Sequence, residues 1–463
     1  MKKICFRADA SPVIGYGHFV RSLALADMLK QNFDCCFYTQ SPSAVQEAAA
    51  AQVCPLVALP ADDTRFGRFL EYLTGEEIVV LDNYFYPAEY QAAIRAKGCR
   101  LVCIDDIHDK TFRADAIINH GLEDASLYAA SPDARLYLGA EWALLRAPFL
   151  HPPVVAKTLD WVLSFGAADP LDMSLLYARR ITEAFPGASV AVLIGEGYRH
   201  PEALEAVPGV RVRRNLPAEA VAALFASSRN VLCSASTVCY EALACGTAVH
   251  AGYYIDNQVD FYEMLCRKGL IHPLGDLRKG TLPQVQDSGP AGSPLDFRAV
   301  AQRFRALFRA LTLDVVNYVD MDEKQSRAVW EARNHPEIRR WMRNPEPFPF
   351  EGHQAFVERL KQPGAPLYFA FFKGDSLLGS YDFTDIRPGV SAVRGLYVHP
   401  DFQRRGVAFM MEYVLEGEIR KFGVHTLLAE VLKFNERSLA YHRSIGYVPC
   451  GENETHYILK REL

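Results

Sequence analysis

Short apolar runs that alternate with helical patterns constrain the fold of this chain most. In the first 145 or so residues the runs are Lys3–Ala8, Cys35–Tyr38, Ile78–Leu81 and Leu101–Ile104. This alternation is typical of a parallel sheet flanked by helices. We therefore predict an α/β fold of Rossmann-like type, in which ligands bind at the carboxyl ends of the strands.

A glycine-rich turn, Gly15-Tyr16-Gly17-His18, joins the first predicted strand to a helix that begins near Phe19. The glycines let backbone approach a ligand, and the helix N-terminus directs N–H groups and partial positive charge there, so the turn predicts an anion pocket. Histidine is the residue type whose reference pKa, about 6.5, suits proton transfer at neutral pH, so His18 is a candidate general base. From the spacing alone, a purely structural histidine in a common strand-to-helix turn remains an alternative.

Polar residues follow the third and fourth apolar runs, as Asp82-Asn83-Tyr84 and Asp105-Asp106. Asp82 is predicted to orient His18 or a ligand hydroxyl, and Tyr84 to donate its hydroxyl to a sugar or phosphate. The competing interpretation is that these residues cap the next helix or turn, and we favour it for Asp105 and Asp106. Neither block has metal-ligand spacing with a histidine, so no metal is expected.

A proline-containing segment at 147–153 interrupts the pattern, which then restarts. The new apolar runs are Trp161–Phe165, Val190–Gly195, Val210–Val212 and Val231–Ser234. After the last run, Ser236 and Thr237 open a helix whose N-terminus is a natural seat for a diphosphate. Glu241, one turn later, can accept two ribose hydroxyls, although a Ser/Thr-rich helix start alone is only an N-cap. The amides of Asn257 and Gln258 could reach a sugar.

Together these blocks resemble the nucleotide-sugar site of GT-B enzymes, in which two Rossmann-like domains face each other across a cleft. More narrowly, residues 1 to about 275 are similar to the UDP-sugar hydrolases of pseudaminic acid biosynthesis, which release 2,4-diacetamido-2,4,6-trideoxy-L-altrose from its UDP form. The resemblance rests on the blocks 7–10, 15–21, 82–84, 164–170, 234–246 and 256–258. Ala167 and Ala168 depart mildly from the family pattern, in the loop near the phosphates.

The resemblance implies that His18 is the general base, which activates water for inverting attack at the anomeric carbon. It implies a metal-free site for a UDP-linked sugar whose substrate-binding residues are Arg7, Asp9, Gly17, Tyr84, Gly166, Ser236, Thr237, Glu241, Asn257 and Gln258. Arg21, one turn after His18, is interpreted as either a second phosphate contact or a surface residue.

From Gly275 to Pro294 the composition shifts, ending in the Gly/Ser/Pro-rich run Asp287–Pro294, and we predict a flexible connection here. A basic amphipathic helix follows at 297–311. A new domain begins near Val315. The predicted organisation is a Rossmann-like domain at 1–147, a UDP-binding Rossmann-like domain at 154–275, a linker and helix at 276–312, and a further domain at 313–463.

In this last region a predicted strand ending at Val398 leads into Gln403–Ala408 and an apolar helix. A basic, glycine-containing turn before a helix can cradle a pyrophosphate on backbone N–H groups; a simple surface turn is the alternative. With the later block Asn435–His442, the order resembles the GNAT N-acetyltransferases over about 150 residues. The resemblance implies acetyl-CoA as co-substrate, Tyr441 as the acid that protonates the departing thiolate, and cofactor contacts from Val398, Gln403, Arg404, Arg405, Gly406, Ala408 and Asn435.

The segment Trp330–Met342, predicted to be helical, further resembles acetyltransferases that act on UDP-4-amino sugars in the same pathway. Trp330 and Trp341 could line the sugar pocket, although aromatic residues at this spacing are more often core. The base that accepts the amine proton stays unassigned, because Glu430, His399 and a water chain are all possible.

Composition and charge limit the classes of partner that the chain is expected to bind. A formal net charge of -5 and a pI near 6.2 give no general electrostatic reason to bind nucleic acid or an anionic membrane. The chain shows no signal peptide, no apolar run of bilayer-spanning length and no CxxC pair among its 11 cysteines, so a cytoplasmic protein is expected. The oligomeric state is not indicated.

The prediction is thus a bifunctional enzyme that N-acetylates the 4-amino group of UDP-4-amino-4,6-dideoxy-N-acetyl-altrosamine and then hydrolyses the acetylated UDP-sugar. The alternatives are a GT-B glycosyltransferase that uses a UDP-sugar, the same two steps on a related 4-amino sugar nucleotide, and a non-catalytic sugar-nucleotide binder.

Overall fold

The computed structural model describes residues 1–11, 14–166, 168–284 and 295–463. The chain divides into two compact units, Met1–Phe304 and Arg305–Leu463. Residues 285–294 of the predicted connection lie outside the described residues. The flexible connection does not begin at Gly275 as predicted, because Gly275 and Asp276 end a strand and Leu277 is fully buried. The predicted domain boundaries stay a prediction. Within the described ranges, no helix is long and apolar enough to cross a membrane.

The first unit begins with alternating strands and helices. The strands are β1 (Lys3–Arg7), β2 (Asp34–Gln40), β3 (Leu56–Leu59), β4 (Ile78–Leu81), β5 (Arg100–Ile104), β6 (Thr111–Phe112), β7 (Ala116–Asn119), β8 (Ala129–Ala130) and β9 (Arg135–Leu138). The helices are α1 (Gly17–Leu29), α2 (Ala44–Ala51), α3 (Thr64–Glu71), α4 (Ala88–Ala96) and α5 (Ala147–Leu150). Seven strands form one sheet in the order β3-β2-β1-β4-β5-β7-β9, and every pairing in it is parallel.

The four predicted apolar runs are β1, β2, β4 and β5, so this part of the fold prediction is confirmed. All four residues of β4 are buried, as continuous apolar runs in the middle of a parallel sheet require. The predicted interruption at 147–153 begins with the short helix α5, in which Phe149 is fully buried.

A second parallel sheet follows in the same unit. Its strands are β10 (Leu159–Ser164), β11 (Val190–Ile194), β12 (Val210–Arg214), β13 (Ser228–Ser234), β14 (Ala248–Tyr253) and β15 (His272–Asp276). The helices are α6 (Met173–Ala184), α7 (Pro201–Glu205), α8 (Ala218–Ala226), α9 (Thr237–Ala244) and α10 (Val259–Arg267). Helix α11 (Val300–Ala310) begins in this unit and continues into the second. The strand order is β12-β11-β10-β13-β14-β15, so β10 and β13 are neighbours at the centre and their carboxyl ends meet.

The second unit is built on a mixed sheet. Its strands are β16 (Asp314–Asn317), β17 (Leu367–Lys373), β18 (Ser376–Arg387), β19 (Ser391–Val398), β20 (Thr426–Leu432), β21 (Val448–Glu452) and β22 (His456–Glu462). The helices are α12 (Glu323–Asn334), α13 (Pro336–Arg339), α14 (Phe350–Leu360), α15 (Val407–Arg420) and α16 (Glu436–Ser444). The strand order is β16-β17-β18-β19-β20-β22-β21.

The neighbours β19 and β20 are the one parallel pair in this sheet as described, and they pair only over Ser391–Val393 and Thr426–Leu428. Beyond these residues both strands continue without pairing to each other. The sheet is therefore split between the carboxyl-terminal halves of β19 and β20, and the split leaves room for a ligand.

The predicted continuous helix through Trp330–Met342 is wrong. Helix α12 ends at Asn334, His335 adopts an extended ψ of 131°, and α13 begins at Pro336. Proline cannot donate the next helical hydrogen bond, and it disfavours helical geometry in the residue before it.

Candidate functional sites

His18 and Asp82 form a buried pair at the carboxyl ends of β1 and β4. His18 lies in the first turn of α1 and is 6% exposed, whereas Asp82 directly follows β4 and is fully buried. His18 Nδ1 lies 2.7 Å from Asp82 Oδ1. A carboxylate on Nδ1 favours the tautomer with its proton there, which leaves Nε2 as the proton acceptor. This is the orienting contact that the sequence predicts for Asp82.

Arg21 joins this pair to a second carboxylate. Its Nε donates to Asp82 Oδ2 over 2.7 Å, and its two Nη atoms donate to Asp106 over 3.0 and 2.7 Å. Burial by itself would raise the pKa of Asp82, but Arg21 and His18 hold it below its ordinary value. Asp82 therefore stays ionised beside His18. The surface interpretation of Arg21 is wrong, because the residue is 8% exposed.

Tyr84 completes the cluster around His18. Its ring meets the imidazole edge-on, with centroids 4.6 Å apart, and its hydroxyl donates to Asp106 Oδ2 over 2.9 Å. Asn257 reaches the same hydroxyl from the second sheet, with Nδ2 at 3.5 Å. Asp106 is thus part of the site, which corrects its interpretation as a cap. Asp105 does act as a cap, because it accepts the N–H of His108.

The predicted diphosphate seat lies at the adjoining ends of β10 and β13. Ser236 is the residue before α9, and Thr237 is the first residue of that helix. Gly166, just after β10, has a φ of 93° and nothing within 4 Å of where a Cβ would lie. Backbone here is open to a ligand, and the N–H groups of the first turn of α9 need acceptors.

Arg146 is a residue that the sequence reasoning missed. Its Nε and Nη2 donate to the two carboxylate oxygens of Glu241 over 2.7 and 2.8 Å. Each carboxylate oxygen has a second lone pair, so Glu241 can hold Arg146 and still accept ribose hydroxyls. No motif marked Arg146, which lies beside the segment interpreted only as an interruption.

Three of the predicted substrate-binding side chains are buried and engaged within the protein. Arg7 and Asp9 are fully buried and paired, with Arg7 Nη2 donating to Asp9 Oδ2 over 2.7 Å, and Asp9 also accepts the N–H of Gln40. Gln258 Oε1 accepts the N–H of Tyr254 over 3.0 Å. These contacts hold loops at the strand ends, and a direct role in substrate binding stays a prediction. Gly17 is the first residue of α1.

The second unit contains a cavity of about 1480 Å³ where β19 and β20 separate. Six of the seven predicted cofactor-binding residues line it: Val398, Gln403, Arg404, Gly406, Ala408 and Asn435. Arg405 does not line the cavity, and its guanidinium lies 5.8 Å from the ring centroid of Phe402. A role for Arg405 in cofactor binding stays a prediction.

The turn before α15 has the geometry of an anion cradle. Arg404 has a φ of 61° and Gly406 a φ of 76°, so two residues of this short turn are left-handed. Helix α15 begins at the next residue, Val407, and is 14 residues long. Its first N–H groups and its dipole favour a phosphate at this end.

Tyr441 lines the same cavity, and its hydroxyl donates to the Ala408 carbonyl over 2.9 Å. Burial raises the pKa of Tyr441 well above its ordinary value, and the negative charge of Glu412 adds to the effect. The phenol therefore stays protonated at neutral pH and can donate a proton to a nearby anion.

The two predicted pocket tryptophans differ. Trp341 lines the cavity, whereas Trp330 packs against Phe350 and donates its indole N–H to the Phe348 carbonyl. Of the candidate bases, Glu430 lines the cavity and forms an ion pair with Arg343. His399 is not among the lining residues.

No group of three or more His, Cys, Asp or Glu side chains suited to a metal ion occurs in the described ranges. The expected absence of a metal stays a prediction.

Comparison with known proteins separates the two units. Residues 335–447 match the acetyltransferase (GNAT) family model. The second unit is a GNAT domain. A stretch of 141 residues is 27% identical to "Acetyltransferase PseH" of Campylobacter jejuni and covers 30% of this chain and 88% of that protein. A crystal structure of Campylobacter jejuni N-acetyltransferase PseH with acetyl coenzyme A aligns over 32% of this chain and 98% of its own, with 22% identity and a TM-score of 0.27.

The region before the GNAT domain matches a different protein. Over 288 residues the chain is 23% identical to the UDP-2,4-diacetamido-2,4,6-trideoxy-beta-L-altropyranose hydrolase of Campylobacter jejuni, and the match covers 58% of this chain and 97% of that protein. The chain is therefore a fusion of a hydrolase-like region with a GNAT domain, as the sequence analysis predicts.

Proposed function

We propose that this enzyme performs two consecutive reactions on one UDP-linked sugar. Its GNAT domain transfers acetyl from acetyl-CoA to the 4-amino group of UDP-4-amino-4,6-dideoxy-N-acetyl-altrosamine. Its first unit then hydrolyses UDP-2,4-diacetamido-2,4,6-trideoxy-beta-L-altropyranose to the free sugar and UDP. Fusion of the two matched regions in one chain supports the pairing. The observation that carries the hydrolysis is the buried His18–Asp82 pair, whose neighbour Tyr84 is contacted by Asn257 from the part of the unit that also contains the open diphosphate seat.

In the hydrolysis, His18 removes a proton from water as the water attacks the anomeric carbon, and Asp82 holds the imidazole in place. The bond from the anomeric carbon to the diphosphate oxygen breaks, with inversion. The N-terminus of α9 and backbone near Gly166 stabilise the charge that develops on the departing UDP. In this proposal Glu241 binds the ribose, and Tyr84 and Asn257 contact the sugar.

In the acetyl transfer, the turn before α15 holds the pyrophosphate of acetyl-CoA, and the thioester lies in the cavity between β19 and β20. The sugar nitrogen attacks the thioester carbonyl carbon, an N–C bond forms and the C–S bond breaks. Tyr441 protonates the departing thiolate. Both reactions use cytosolic nucleotides, which supports a cytoplasmic enzyme.

A glycosyltransferase that uses the same UDP-sugar is the competing function. It would also need the diphosphate seat, but it would direct His18 at an acceptor hydroxyl instead of water. Release of UDP and free sugar in the absence of any acceptor distinguishes the two.

A time course with the full chain tests both steps. The amino-sugar nucleotide is supplied with and without acetyl-CoA, and CoA thiol, UDP and free sugar are followed. Thiol release that precedes UDP release is expected, and UDP release should be slow without acetyl-CoA. Thiol release without UDP release, even from pre-acetylated substrate, would contradict the hydrolysis.

Replacing Tyr441 by phenylalanine should lower kcat for thiol release by about 10- to 100-fold and leave UDP release from pre-acetylated substrate unchanged. The phenyl ring keeps the packing, but the proton donor for the thiolate is lost. Tyr457→Phe, on the described strand β22, is a matched control, because Tyr457 does not line the cavity. An unchanged kcat in Tyr441→Phe would contradict the acid role.

A further inference from the structure

The cavity of the GNAT domain contains an acidic side chain that the sequence analysis did not single out. Asp382 lies on β18 directly opposite Gly395 of β19, and both residues line the cavity. A Cβ atom at position 395 would lie 2.6 Å from Asp382 Oδ2. The Asp382 carboxylate therefore lies over Gly395. Gly395 belongs to β19, and the continuation of β19 forms one side of the split in the sheet.

Asp382 differs from the other candidate bases in its partners. Among the described residues, none donates a hydrogen bond to its carboxylate, whereas Glu430 is ion-paired with Arg343 and His399 does not line the cavity. The Asp382 oxygens are thus available to a ligand amine. Glu430 would first have to break its ion pair with Arg343.

The surroundings of Asp382 suit proton transfer near neutral pH. Burial raises the pKa of Asp382 to about 7, against the opposing charges of Arg394 and Arg343. A base with this pKa is ionised in a large fraction of molecules at pH 7 and still binds a proton well. The titratable and charged groups that face Asp382 or its immediate neighbours are Tyr318, Tyr368, Tyr397, Arg333, Arg343 and Arg394.

We propose that Asp382 is the general base of the acetyl transfer, an inference that rests on the acetylation proposed above. Its carboxylate takes one proton from the sugar 4-amino group as the nitrogen bonds to the thioester carbonyl carbon. The C–S bond breaks, and the thiolate receives its proton from Tyr441. Exchange with solvent then returns both side chains to their starting states, so no further reactant is needed.

The test compares Asp382→Asn with Glu430→Gln in the full chain. Both changes keep the size of the side chain and remove a charge. Asp382→Asn should lower kcat for thiol release by about 100-fold or more, with the Kd for acetyl-CoA unchanged, and Asp382→Glu should recover part of the rate. Glu430→Gln should lower kcat less than Asp382→Asn does.

The pH profile gives a second readout. In the wild type kcat should fall as the pH drops below about 7, because protonated Asp382 cannot accept a proton. Asp382→Asn should lack this acidic limb. Gly395→Ala should also lower kcat, because the added Cβ displaces the carboxylate.

Three outcomes would overturn the inference. A rate within about fivefold of the wild type in Asp382→Asn would do so, as would an unchanged acidic limb or a larger loss in Glu430→Gln. These results leave the acetylation standing if the wild type releases thiol with the amino-sugar nucleotide. A wild type that binds acetyl-CoA and releases no thiol overturns the proposed acetylation itself, and the inference with it.

Discussion

His18→Ala is expected to lower kcat for UDP release from the acetylated UDP-sugar by about 10²- to 10⁴-fold, the usual contribution of a positioned general base. The KM should change little, because His18 acts on water and the diphosphate binds at the start of α9. Thiol release by the GNAT domain should be unaffected. The measurement is UDP release under saturating substrate, with acetyl-CoA and the amino-sugar nucleotide supplied in a parallel reaction.

His200→Ala is the matched control for this change. His200 is an exposed histidine of the same unit, and it precedes α7 without making a side-chain capping hydrogen bond. Its replacement should leave both activities unchanged. A His18→Ala enzyme that keeps more than a tenth of the wild-type kcat would contradict the general-base role, and an equal loss of thiol release would indicate a folding defect.

The pairing of His18 with Asp82 was predictable because it depends on local pattern and on a general property of parallel sheets. The apolar runs at β1 and β4 are recognisable in the sequence, and strands of such a sheet present their carboxyl ends at one edge. A histidine at the start of the helix after one strand and an aspartate directly after another are therefore brought close together.

The partners of the long cationic side chains were not predictable in the same way. Helical spacing shows that His18 and Arg21 share a face of α1, but Asp106 lies 85 residues from Arg21 in the sequence. Arg146 and Glu241 are separated by 95 residues. The Arg146–Glu241 pair depends on how the two sheets of this unit pack, and the Arg21–Asp106 pair on the reach of a flexible side chain within the first sheet's layer. Neither leaves a periodic signal.

Asp382 was missed for another reason. Its position over Gly395 follows from the register between β18 and β19, and apolar alternation predicts the strands but does not specify which residues are opposite each other. The end of α12, in contrast, was predictable: Pro336 is visible in the sequence and disfavours helical geometry at His335, but the helix was predicted to continue.

The largest effect on stability is expected from Glu412→Gln in the GNAT domain. Glu412 is fully buried on α15, where it accepts the Tyr447 hydroxyl over 2.8 Å and lies 3.2 Å from Arg394 Nη2. Glutamine keeps the shape but leaves the buried Arg394 charge without its counter-ion. Breaking a buried ion pair from one side costs about 3–5 kcal/mol of unfolding free energy.

The measurement is chemical unfolding of the full chain, with the GNAT transition identified by its shift on adding acetyl-CoA. Glu358→Gln is the matched control: this glutamate also lies on a helix and pairs with Lys361 at 2.6 Å, but its side chain is 68% exposed. Its loss should cost less than about 1 kcal/mol. Equal effects of the two changes would contradict a buried ion pair at Glu412. A large loss confined to Glu412→Gln would show that the GNAT sheet depends on this charge pair, which ties α15 to β19 through Arg394, the residue before Gly395.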